Sequence, residues 1–132
     1  MSDNNKLLSY ALILFGAAFC LIFPLSAVWP SGWSWHDGPP AASDYFLMIV
    51  GVYATLGVFM ILAAKRPEAN ASLIWFVIWS SIVHATIMAI QAAVQPMAHG
   101  HLLGDVPALL LVALVLGVLM SRVRLRSTAV PA

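Results

Sequence analysis

The chain has 132 residues, 62% of them apolar and 8% charged, with a formal net charge of +1. A soluble domain averages roughly 25% charged residues, so this chain cannot clothe itself in a polar surface, and lipid is its natural solvent. The near-neutral charge gives no reason to expect nucleic acid as a partner, and a single cysteine, Cys20, excludes an intramolecular disulfide or a cysteine cluster for zinc.

A transmembrane helix needs about 20 predominantly apolar residues, and four stretches supply them. The first runs from about Leu7 to Trp29. Its apolar core is longer than the roughly 7–15 residues of a leader peptide, so it is read as a retained span. Pro24 lies inside it, removes a backbone donor and crowds the preceding turn, which predicts a kink near Leu21 to Pro24. The segment "WPSGWSWHDGPPAASD" then breaks the chain with prolines and glycines. Its tryptophans and prolines predict an apolar lid that docks over the mouth of the bundle.

The second span runs from about Tyr45 to Ala64, with Ser43 or Asp44 as its cap. "KRPEAN" makes a tight link, with Asn70 as a possible cap, to the third span, about Ala71 to Gln95. "PMAHGH" separates this from the fourth, about Leu102 to Met120. Asp105 followed by Pro107 resembles a helix start. If the helix begins there, Asp105 sits below the headgroups and needs a partner.

Lys6, Lys65, Arg66, Arg122, Arg124 and Arg126 all fall on one side of a four-span chain, and the other two loops have no lysine or arginine. The positive-inside rule then puts both termini and the "KRPEAN" loop in the cytoplasm. The expected fold is all-α: one membrane domain over residues 1–132, an integral bundle of four transmembrane helices joined by short connections.

The segments "GVYATLGVFMILAAKRP", "SLIWFVIWSSIVHATIMAIQA" and "GHLLGDVPALLLVALVL" together resemble a family of small bacterial four-helix membrane proteins of unknown function. The resemblance covers roughly Trp29 to Gly117, and "GHLLGDVPALL" is its most distinctive run. It implies a bacterial inner-membrane protein and carries no reaction, cofactor or catalytic residue.

Two polar groupings stand out. Ser81, His84, Met88, Gln91 and Gln95 are spaced three, four, three and four apart, one stripe of a helix. Polar side chains in hydrocarbon need partners, so this stripe is expected to face the other helices, with His84 bonded to a neighbour. The outer loops add His36, Asp37, His99, His101 and Asp105, whereas the cytoplasmic side has no histidine. His84, Gln91, Gln95 and Asp105 are the candidate ligand-binding residues. His36, His99 and His101 are expected to be solvated loop residues, with a metal site as the alternative because imidazole suits zinc, copper and nickel.

No glycine-rich phosphate loop, G-x-S-x-G elbow or H-E-x-x-H motif is present. The residues favour a non-enzymatic binding or accessory module with a polar site opening to the outer face. The alternatives are a redox anchor that holds haem or a quinone through inward histidines, and an oligomeric conduit for protons or small solutes. Cofactor identity is not indicated by the residues. The expected partners are the lipid bilayer, other membrane proteins or further copies of the chain.

Overall fold

A computed structural model describes residues 3–33 and 39–128, the side chains of residues 40, 97 and 124–128 aside. The helices are α1 (Asp3–Cys20), α2 (Ile22–Val28), α3 (Pro30–Trp33), α4 (Asp44–Ala63), α5 (Ala71–Val94) and α6 (Asp105–Thr128). Turns of 3₁₀ helix at Pro40–Ala42, Glu68–Asn70 and Pro96–Leu102 join them. There is no strand among the described residues. Three helical stretches are long and apolar enough to cross a membrane, and a fourth if α1 and α2 count as one bent span.

Local chemistry accounts for most of the boundaries. The Ser43 hydroxyl accepts a hydrogen bond from the Phe46 backbone N–H at 3.2 Å and caps α4. Asn70 does not cap α5; its side-chain amide donates to the carbonyl of Arg66 at 2.9 Å. Asp3 sits in the first turn of α1 and Asp105 in that of α6, where the helix dipole favours negative charge. The helix α6 continues past Met120 to Thr128, beyond the end read from hydropathy.

The first span is broken as its proline requires. Helices α1 and α2 meet at Leu21 with a bend of 57°. Pro24 has no N–H to donate to the carbonyl of Cys20, four residues back, and its ring crowds that carbonyl. Spin labels at the exposed positions Leu14 and Val28 report the angle directly. In Pro24→Ala the restored N–H should straighten the joint and lengthen the electron–electron distance. An unchanged distance would show that packing, not proline, imposes the bend.

Helix α4 packs along α1 and α5 along α6, while α1 also packs on α6. The order across the molecule is therefore α4, α1, α6, α5. Although α4 and α5 are joined by a short loop, they scarcely touch along their lengths. Leu8 and Leu12 of α1, Met60 of α4, Ile74 and Val77 of α5 and Leu116 of α6 are fully buried at the centre. Large apolar side chains such as Leu14, Val52, Phe76 and Leu114 cover the outside, the inverse of a water-facing surface.

The two ends differ. At one, the Asn5 side-chain amide donates to the Glu68 carboxylate, so the N-terminal segment stands beside the basic loop. At the other, Gly100 and Gly104 lie directly against the backbone of Ser31 and Gly32. There α3 is docked on the Pro96–Leu102 turn, with Trp33 half-buried. Docking of the lid is thus seen for α3 and Trp33, and the rest of the expected lid, "SWHDG", lies outside the described residues.

Candidate functional site

The bend at Leu21 has a consequence for packing. Beyond it α2 leans away from the axis of α1, and a cavity of about 190 Å³ lies among α1, α2, α4 and α6 in the half of the molecule remote from the termini. Its walls include Phe15, Phe19 and Ile22, Phe46, Ile49 and Tyr53, and Leu109 and Val112, with Trp33 from α3. His84 and Asp105 also line it. Phe46, Leu109 and Val112 are buried at the back, whereas the lining residues Ala18, Leu25 and Leu111 are exposed. The open side therefore lies on the flank between the α1–α2 column and α6. At the end where α3 docks on the Pro96–Leu102 turn, Trp33 forms part of the wall.

Two hydrogen-bonded pairs carry the polar chemistry. Tyr53 Oη and His84 Nδ1 are 2.6 Å apart, and the two rings meet edge to face at a centroid separation of 5.5 Å. This pair bridges α4 and α5 where their backbones stand apart. Phe19 packs edge-on to Tyr53 at 4.9 Å and fixes the ring from the α1 side. The second pair is His101 Nδ1 with Asp105 Oδ2 at 2.9 Å, four residues apart, their side chains 1% and 8% exposed. The other carboxylate oxygen, Asp105 Oδ1, is buried with no hydrogen-bond partner.

Of the four candidate ligand-binding residues, the structure brings His84 and Asp105 to one cavity and leaves Gln91 and Gln95 out of it. Both glutamines are exposed. The buried arc of α5 is Ile74, Val77, Ile78, Ser81, Ala85, Met88 and Ala92. Gln91 stands about a quarter-turn from the middle of that arc at 3.6 residues per turn, and Gln95 is the C-cap, past the last packed turn. The expectation of a single buried seam is corrected on this point: Ser81 and Met88 are buried, His84 is half-buried, and the seam ends there.

The loop histidines divide in three. His101, expected in solvent, is buried against Asp105, and the contact gives the buried carboxylate a hydrogen-bond partner. His99 is exposed, and His36 lies outside the described residues. Among the described residues no group of three histidine, cysteine or acidic side chains is placed to hold a metal ion.

Sequence reasoning passed over Tyr53. The signal was its position: tyrosines of the interfacial belt sit at helix ends, and Tyr53 is mid-helix in α4. Removing its hydroxyl in Tyr53→Phe leaves His84 Nδ1 without a partner, for which about 1–3 kcal/mol of stability is expected to be lost. The midpoint of thermal unfolding of the purified protein checks this, and an unchanged midpoint would mean that the pair contributes nothing.

No curated protein and no solved structure was found to match the chain. Residues 2–130 match the model of a family of unknown function, DUF6632, and the chain, with its apolar helices and its flank-opening cavity, belongs to that family.

Proposed function

We propose that this is a multi-pass protein of the bacterial cytoplasmic membrane, a four-helix bundle with both termini in the cytoplasm, that binds a small lipophilic molecule without transforming it. The observation that carries this reading is the cavity. Protein interiors are packed with few voids larger than a water molecule, and an engineered cavity of about 150 Å³ lined by apolar side chains binds benzene. The space at Phe19, Phe46 and Leu109 is of that size and character. Its open flank, at Ala18 and Leu111, is where acyl chains would lie, so the ligand reaches it from the lipid phase.

Two experiments test the proposal. Alkaline phosphatase fused after Ala132 should be inactive, and inserted in the Trp33–Pro40 loop active; the reverse would overturn the orientation. Toluene added to the purified protein should raise its unfolding temperature, because a ligand of the native state at 100 times its Kd stabilises by about 2.7 kcal/mol. In Ala108→Phe the new ring occupies the cavity that Ala108 lines, and the toluene effect should vanish. An equal rise in the variant would place the binding in detergent or elsewhere on the protein.

A further inference from the structure

Resting on the pocket reading above, we infer that the natural occupant is an amphiphile with a hydrogen-bond-donating head: a single ring or short chain that ends in a hydroxyl or amine seated against Asp105. Among the residues that line the cavity, Asp105 is the one with a buried polar atom that has no hydrogen-bond partner. Its Oδ2 accepts from His101 Nδ1, its Oδ1 has no partner, and the side chain is more than nine-tenths buried. A buried acceptor without a donor is costly, and more so when it belongs to a charged group. The residue lies in the wall of the cavity and in the first turn of α6, at the end of the helix dipole that stabilises anions.

The rest of the wall sets the body of the ligand. The cavity has room for one ring with a short substituent, judged against the volume that holds benzene. Aromatic side chains, among them Phe19, Trp33 and Tyr53, surround it, and ring faces attract cations. An amine therefore gains from both the carboxylate and the rings, whereas a hydroxyl gains from the carboxylate alone. A molecule whose head only accepts hydrogen bonds meets Asp105 Oδ1 as a second acceptor and is repelled. On this ground a hydroquinone belongs to the class and its oxidised quinone does not.

The test uses four probes of one shape that differ in the head: benzylamine, benzyl alcohol, benzaldehyde and toluene. Their dissociation constants are measured on the full chain in lipid nanodiscs, with protein-free nanodiscs as the reference for partitioning. Benzylamine and benzyl alcohol should bind about tenfold more tightly than toluene, and benzaldehyde no better than toluene. In Asp105→Leu, and in Asp105→Asn should the first variant fail to fold, the preference should collapse while toluene still binds. A tighter amine identifies the head as cationic, and equal affinities identify it as a neutral hydroxyl; either supports the class. Benzaldehyde binding as well as benzyl alcohol, or a donor preference that survives both substitutions, overturns it. Toluene binding with no preference among heads refutes the donor class and leaves the pocket intact. Failure of all four probes refutes the pocket as well.

Discussion

Gly57→Ala is expected to lower stability by about 2–3 kcal/mol, the upper part of the range for overpacking a well-filled interior. Where α1 and α4 cross, a Cβ on Gly57 would run into the carbonyl oxygen of Gly16 and come within 2.9 Å of Cys20 Sγ and 3.1 Å of Phe19 Cβ. The reciprocal position is as tight: a Cβ on Gly16 would stand 2.7 Å from the carbonyl oxygen of Gly57 and 2.9 Å from Ile61 Cγ1. Carbonyls of helical backbone cannot rotate aside, so the helices must part. Small residues at such crossings let backbones approach in lipid, where no hydrophobic force pulls helices together and close packing carries the association. Gly51, on the same helix, is the control. A Cβ there meets nothing within 4 Å, and Gly51→Ala should be neutral or stabilising by up to about 1 kcal/mol from helix propensity alone. Denaturation of both variants, followed by circular dichroism, separates them; equal midpoints would show that the crossing tolerates a methyl group and that the packing is looser than described.

The second large effect is expected at His101. His101→Leu removes the donor to Asp105 Oδ2, and the carboxylate is then buried with neither oxygen bonded. Breaking a buried pair from one side costs about 3–5 kcal/mol, because the remaining group keeps its desolvation penalty and loses its partner. His101→Leu/Asp105→Leu removes that orphan, so the double substitution should cost less than the two single ones added together. The coupling between residues in direct contact is expected at about 0.5–3 kcal/mol. Strict additivity in the unfolding free energies would mean that the 2.9 Å contact contributes no energy of its own. His99→Leu, at an exposed position two residues away, should change stability by no more than about 0.5 kcal/mol.

The features legible in the chain are those set by local chemistry. Four apolar runs mark the helical columns, and prolines and glycines mark the breaks. Ser43 caps the second run, Asp105 opens the last, and Pro24 bends the first at the residue where its missing N–H is felt. The grouping of Lys6 with the Lys65–Arg66 loop at one end follows from the number of spans, and the Asn5–Glu68 bond agrees with it. Each of these depends on a few neighbouring residues or on the order of segments, both of which a sequence displays. The tertiary structure alone decided which faces meet. Apolar residues surround α4, α5 and α6 on nearly every side, so no contrast between faces marks the buried one. The spacing of Ser81, His84, Met88, Gln91 and Gln95 was therefore a true stripe whose direction could not be read, and the packing of α6 on α5 turned the far glutamines outward. The partner of His84 is Tyr53, 31 residues away, and the cavity beneath α2 depends on the angle between helices. His101 is only four residues from Asp105, but its burial depends on the packing around the turn that precedes α6. The bend itself was legible at Pro24, but where the space beside it falls depends on the close approach of α1 and α4 at Gly16 and Gly57, a contact between segments that neither segment displays alone.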